Sequence, residues 1–350
     1  VVGRAFVARR DEGASAKSTV KRDDSPAKIA AFDEFEHGPS PAAGGGILDA
    51  SMTADQRTTT IVMSIASSDT SGAEGVQADL RAFAAAGVHG SCALSLLSAQ
   101  GTRGVRKVSP LPPDLVRAQI ETVLEDLQPR AIKTGALGNA TTVEIVADVL
   151  REKKDLVLVV DPVVNPTRGR ALLDDSGLAT LARELIPLAT LVTPNRDETS
   201  RLAGRARGLE DARRACRTLV DMGAKAVLIK GGHFTGNDAV DLFYDGKDYC
   251  ELRAPRRDLP TMLGLGCTLS ALVTAFLAKG EPLLDAVRRA HAVLQRSLDA
   301  PRVLGAGVCT VGDLDDAVAR AIPTVAALRS PTLSPAPALV AAPGDEQPTA

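Results

Sequence analysis

The segment Leu263-Gly264-Leu265-Gly266-Cys267-Thr268 sets two glycines and a cysteine at the threshold of a run in which Leu269, Leu272, Val273, Phe276 and Leu277 recur at helical spacing. The glycines permit a tight turn. The amides of Gly266, Cys267 and Thr268 would be unpaired at the start of that helix, forming an anion site suited to a transferring phosphoryl group. The positive end of the helix dipole would lower the pKa of Cys267, making it a thiolate base or a phosphate contact. A cysteine packed as a small hydrophobe is the competing reading of this segment alone. The pattern is not a dinucleotide fingerprint, because Leu269 stands where a third glycine belongs and no clear strand leads in. Nor is it a P-loop, because no Gly-Lys-Ser/Thr follows.

Further segments carry groups that could act beside such a helix start. Asp161 lies in LVVDPVVNP, and Asn195 and Glu198 lie in LVTPNRDET. Carboxylates at two strand ends could hold magnesium through waters beside a polyphosphate, while capping of turns or helices explains each acid equally well singly. Lys230 in AVLIKGGH can meet phosphate oxygens, with Gly231 and Gly232 allowing close backbone approach; His233 reads by default as a turn residue. In SSDTSGAEGVQADL, Asp69, Ser71, Gly72 and Gly75 bring amides and a carboxylate to a helix start, although Asp69 as a plain turn former accounts for the segment alone. In SAQGTRGV, Gln100 and Thr102 sit in a glycine-bounded loop where an amide could read a heterocycle's donors and acceptors.

These positions share a place in the chain's rhythm, each following an apolar run of strand length. TTTIVMSIA, HGSCALSLLSA, AIKTG, LVLVVDPVV, ATLVTP and AVLIKGG alternate with helical patterns such as VQADLRAFAAAG, PPDLVRAQIETVLEDL, TTVEIVADVLREKK, LATLARELIP and LEDARRACRTLVDMG. Strand and helix in alternation predict an α/β fold whose central, mainly parallel sheet has helices on both faces. The unbroken apolar runs LVLVV and AVLIK fit strands buried on both sides. Ligands in such sheets bind beyond the carboxyl ends of the strands, where the polar groups fall.

The bulk properties exclude several classes. A formal net charge of −2 on 350 residues offers no electrostatic basis for nucleic acid or anionic membrane as a partner. No apolar run reaches spanning length. Cys92, Cys216, Cys250, Cys267 and Cys309 lie far apart without a Cys-x-x-Cys pair, which argues against a disulfide framework or structural zinc and for a reducing compartment. Residues 1–56 read as a flexible N-terminal tail, 57–320 as the folded domain and 321–350 as a Pro/Ala-rich C-terminal tail. The cytoplasm is the expected compartment; Arg4, Arg9 and Arg10 would suit the remains of a mitochondrial or plastid transit peptide, against which Asp11 and later acids weigh.

Taken in order, the segments resemble the hydroxymethylpyrimidine/phosphomethylpyrimidine kinase family of thiamine biosynthesis, a branch of the ribokinase-like vitamin kinases. The likeness covers about residues 58–310 and rests on SSDTSGAEGVQADL, SAQGTRGV, VVDPVV, TPNRDE, IKGGH and GCTLSA. It implies a three-layer ribokinase-like fold and phosphoryl transfer from ATP with Mg2+ to a pyrimidine hydroxymethyl or phosphomethyl group. By position it implies Asp69 and Gln100 on the substrate side, Asn195, Lys230 and Thr268 at the nucleotide, and Asp161 and Glu198 at the metal-phosphate end. Gly264, Gly266 and Cys267 would form the anion hole and catalytic position. Many ribokinase relatives carry an aspartate base where this branch has cysteine, so Cys267 points to pyrimidine kinases over sugar kinases.

The sequence also departs from the family pattern. Ser67, Ala73 and Glu74 replace a glycine, a glycine and an alanine in the first loop, and Glu74 adds negative charge close to where phosphate should arrive. Ile132-Lys133-Thr134-Gly135-Ala136 lacks the usual final methionine, and Thr261-Met262-Leu263-Gly264-Leu265 is apolar where the family has polar side chains. An active kinase therefore stands beside a catalytically impaired, kinase-derived binding or scaffold subunit, with a pyridoxal-type vitamin kinase as a third reading. The expected partners are a small pyrimidine and a nucleotide, in a homo-oligomer or larger assembly.

Overall fold

The computed structural model describes residues 59–153, 155–231, 238–306 and 308–321, with the backbone of Ser334 and Pro335. The N-terminal tail, nearly all of the C-terminal one, Gly232 and His233 lie outside the described residues. The main sheet is built from β1 (Ile61–Asp69), β2 (His89–Gly101), β3 (Gly104–Pro110), β4 (Ala131–Thr134), β5 (Val157–Val160), β6 (Leu191–Val192), β7 (Val227–Ile229), β8 (Asp238–Tyr244) and β9 (Asp248–Pro255). A second, small sheet contains β10 (Met262–Leu263), β11 (Arg302–Leu304) and β12 (Val308–Thr310), and β13 (Ser334–Pro335) pairs with β9. The main sheet runs β13-β9-β8-β7-β6-β5-β4-β1-β2-β3. Pairing is parallel from β7 through β2, as the unbroken apolar runs require, and antiparallel at both edges.

The two cores follow from the strands' period of two. Leu158 and Val160 of β5 point into one core and Val159 into the other, and Ile132 and Ala131 of β4 divide the same way. On the first face pack α2 (Pro113–Asp126), α3 (Ala140–Arg151), α4 (Asp175–Thr180) and α6 (Leu209–Asp221). On the second pack α1 (Gly75–Ala85), α7 (Leu265–Ala278), α8 (Leu283–Ser297) and α9 (Leu314–Arg320). A further helix, α5 (Arg196–Ala203), follows β6. The helix ends match the sequence signals: Pro112 and Pro113 open α2, and Gly223, at φ +111°, follows α6.

Two local features differ from the sequence expectations. SAQGTRGV is a hairpin: β2 runs on through Gln100 to Gly101 and turns directly into β3, so Gln100 sits on a strand. A strand does lead into the glycine-rich segment, but it is only two residues long; β10 pairs in parallel with β12, with Met262 opposite Cys309. Leu263 is 3% exposed and packs on Ala73, Val308 and Leu304, which explains an apolar residue there.

Candidate active site

The carboxyl ends of the parallel strands open into a cavity of about 750 Å³. Its floor is the start of α7. Gly264 precedes that helix with φ +77°, and a Cβ added there would lie 2.0 Å from the Ala73 carbonyl oxygen, so only glycine fits both the left-handed turn and the contact with the β1–α1 loop. A Cβ on Gly266 would lie 3.1 Å from Lys230 Nζ, which fixes how closely the lysine approaches the helix. α7 has no side-chain cap, leaving its first amides for a ligand. The Thr268 amide is not one of them: it donates to the Gly264 carbonyl at 2.9 Å. Thr268 is 1% exposed and stands outside the cavity wall, in an interior position.

Above that floor lies a chain of charges. Lys230 Nζ donates to Asp161 Oδ1 at 2.7 Å, and Ser270 Oγ of α7 donates to Asp161 Oδ2 at 3.0 Å. Burial alone would raise the Asp161 pKa, but Lys230 and then Lys133 overcome it and hold the carboxyl below its ordinary value. Asn195 and Glu198 form a capping box at the start of α5: Asn195 Oδ1 accepts from the amides of Asp197 and Glu198, and Glu198 Oε2 accepts from the Asn195 amide at 2.7 Å. Both residues also line the cavity, so capping and ligand contact coexist. Burial, followed by the opposing charge of Lys230 and the like charge of Asp161, leaves the Glu198 pKa raised to about 7.

That displacement has a measurable sign. An acid whose folded-state pKa is raised contributes stability that is fully present below its unfolded value, near 4.5, and lost as pH climbs through about 7. Between pH 5 and pH 8 the wild-type protein should therefore lose more stability than Glu198→Gln, by on the order of 2–3 kcal/mol. Urea unfolding at both pH values reads the difference, and parallel losses in the two proteins would remove Glu198 as the source.

Cys267 lines the cavity, but its thiol differs from the expectation. Burial pushes its pKa up to about 12, with Lys133 opposing and the charges of Asp79, Asp161 and Glu74 adding. The surroundings therefore favour the thiol over the thiolate, opposite in direction to the effect expected of the helix dipole.

At the opposite end, Gln100 is 9% exposed and its Nε2 donates to Glu74 Oε2. Thr167 Oγ1 donates to Glu74 Oε1 at 2.8 Å. Asp69, by contrast, is absent from the wall. Its carboxylate accepts from the amides of Ser71, Ala73 and Glu74 and from the Ser71 hydroxyl, so the turn-former reading holds and Asp69 positions the loop that carries Glu74. Thr102 also lies off the wall, its Oγ1 accepting from the Ala306 amide.

Two wall residues, Lys133 and Asp241, were not among the site residues expected from the sequence. Lys133, fully buried, donates to both oxygens of Asp79 at 2.9 and 2.8 Å. Asp241, at the far end, accepts from the Gly231 amide at 2.8 Å. The Ala-Asp of VQADLR was the available sign for the first pair, an acid on the apolar face of a helix. Among the described residues no helix is long and apolar enough to cross a membrane.

The sequence model of the phosphomethylpyrimidine kinase family matches residues 69–312. The hydroxymethylpyrimidine/phosphomethylpyrimidine kinase of Rhizobium meliloti is 43% identical over 244 residues, covering 69% of this chain and 91% of that one. Among solved structures, an ADP complex of Bacillus subtilis pyridoxal kinase aligns with a TM-score of 0.68 at 32% identity, over 73% of this chain and 97% of that chain. The phosphomethylpyrimidine kinase of Clostridium difficile 630 aligns with a TM-score of 0.62 at 33% identity, over 69% and 100%.

Proposed function

This chain belongs to the phosphomethylpyrimidine kinase family, and from that premise we propose that it transfers the terminal phosphoryl group of ATP to the hydroxymethyl group of a hydroxymethylpyrimidine, a step of thiamine biosynthesis. The observation that carries the reading is the single cavity that joins the amide-lined start of α7 and Lys230 at one end to Gln100 at the other. Leu263 packs outside it, which removes one of the departures that favour an impaired scaffold, while Leu265 and Glu74 both line it. ADP and the non-hydrolysable analogue AMP-PCP occupy related pyridoxal kinases, which supports ATP as the donor.

In this reading Lys230 and the first amides of α7 receive the donor phosphates, and Gln100 orients the ring. The acceptor oxygen bonds to the terminal phosphorus as the bridging bond breaks and ADP leaves with its electron pair; the hydroxyl proton passes to an oxygen of the transferred group and on to solvent. A loose transition state of this kind needs positioning and fixed dipoles more than a strong base, so a protonated Cys267 is compatible with it as a weak donor at the anion hole. Asp161 and Glu198 would hold Mg2+. Lys230 and Ser270 already engage both Asp161 oxygens, so the two carboxylates would hold the ion through water. When bound, the ion neutralises charge on the phosphate oxygens.

The test is ADP formation with hydroxymethylpyrimidine at saturating MgATP, with pyridoxal as the second acceptor because the pyridoxal kinases align equally well. Cys267→Ala should lower kcat about tenfold to a hundredfold and Cys267→Ser much less, as a hydroxyl restores the donor. No acceptor-stimulated turnover in the folded protein would sink the proposal, and an unchanged rate in Cys267→Ala would remove that residue from it.

A further inference from the structure

One acidic side chain, Glu74, lines the acceptor end of the cavity, while Arg201, Arg256 and Arg257 line other parts of the same wall. Glu74 stands in the wall between Gln100 and α7, its two oxygens tied to Gln100 Nε2 and Thr167 Oγ1. Hydrogen bonds from neutral donors hold the carboxylate in place but do not cancel its charge. Among the described residues of the wall contributed by the β1–α1 loop, β2, β4 and the segment 163–172, the sole cation is Lys133, whose ammonium is committed to both oxygens of Asp79. Lys230, at the donor end, is paired with Asp161. An acceptor that spans from Gln100 to the start of α7 therefore passes alongside Glu74, whose influence reaches as far as the Cys267 thiol.

We propose that Glu74 is a charge filter at the acceptor end, admitting a neutral hydroxymethyl heterocycle and disfavouring the same heterocycle once its hydroxymethyl group carries phosphate. A phosphomonoester bears about two negative charges at neutral pH, and in a cavity of reduced dielectric a carboxylate alongside it opposes entry strongly. A neutral ring meets no such opposition, and an exocyclic amino group could donate to the Glu74 oxygens. The inference rests on the kinase reading for the identity of the acceptor and narrows it to the first phosphorylation over the second.

The experiment uses the full chain and compares wild type, Glu74→Gln and Glu74→Ala. For hydroxymethylpyrimidine and its monophosphate, kcat/KM is taken from ADP formation, and Kd by calorimetry. The wild type should favour the alcohol at least tenfold in Kd, and both variants should shrink that preference at least tenfold, Glu74→Gln doing so with nearly unchanged shape. A preference that moves less than threefold in the correctly folded Glu74→Gln protein overturns the filter, whatever the turnover. If the Kd ratio moves while neither acceptor is turned over, the filter stands and the kinase reading falls; turnover with an unmoved ratio removes the filter and leaves the kinase reading standing.

Discussion

Asp161→Asn should lower kcat about a thousandfold while leaving the protein folded. The carboxylate is fully buried, receives Lys230 Nζ at 2.7 Å and Ser270 Oγ at 3.0 Å, and sits below its ordinary pKa because two lysines hold it ionised. An amide fills the same space and its oxygen can still accept from Lys230, but it cannot carry the charge that pairs with the lysine and that the metal-phosphate end requires. Loss of one preorganised electrostatic contact at a reacting group costs about two to three decades in rate. Removing one partner of a buried ion pair ordinarily costs about 3–5 kcal/mol of stability, through the charge left behind. Here Glu198 limits that damage: the charge of Asp161 is one cause of its raised pKa, so with that charge gone Glu198 ionises at lower pH and faces Lys230 instead. The stability loss should accordingly be nearer 2 kcal/mol, with the rate loss far larger. Steady-state ADP formation and urea unfolding on the same preparation measure both quantities. A kcat within tenfold of wild type would take Asp161 out of the transfer machinery.

The parallel half of the sheet was legible because its strands are buried on both faces and therefore read as unbroken apolar runs. The antiparallel edges were not. β3, Gly-Val-Arg-Lys-Val-Ser-Pro, is an edge strand with charged side chains turned to solvent, and it shows neither a continuous run nor clean alternation. Asp161, Lys230 and Cys267 could be placed because they follow strands or start a helix, positions that chain order reveals. What order does not reveal is the direction and depth of a side chain. Asp69 and Thr268 occupy motif positions yet face inward, one satisfying its own turn and the other sitting where the helical ladder has already begun. Cys267 shows the same limit in energy. A helix dipole favours a thiolate by about 0.3–1 kcal/mol, whereas desolvation, joined by the charges of Asp79, Asp161 and Glu74, pushes the thiol up to about 12 against the pull of Lys133. Desolvation wins, and it is a property of the assembled fold rather than of the segment.

The pair behind that site carries the largest expected effect on the fold. Lys133→Met should destabilise the protein by about 3–5 kcal/mol, because Asp79 would remain as a buried carboxylate with only the Ser64 hydroxyl donating to it. Burial alone would lower the Lys133 pKa; the Asp79 charge, 2.8 Å away, overcomes it and keeps the ammonium protonated. The double variant Asp79→Leu, Lys133→Met removes both charges from a buried site between β1, β4 and α1, leaving the Ser64 hydroxyl. It should recover to within about 1 kcal/mol of wild type, short of full recovery because Ser64 loses its acceptor. Four urea transitions close the cycle, and a double variant as unstable as Lys133→Met would refute the account. Turnover should not recover with stability. Lys133 lines the cavity, and its charge opposes the upward push on the Cys267 pKa, so the ammonium favours negative charge at the start of α7 whether or not it holds the fold together. A double variant that regains wild-type stability yet stays at least tenfold slow would separate the two roles. The buried pair would then be one the fold can do without, retained for the field it places where phosphoryl charge develops.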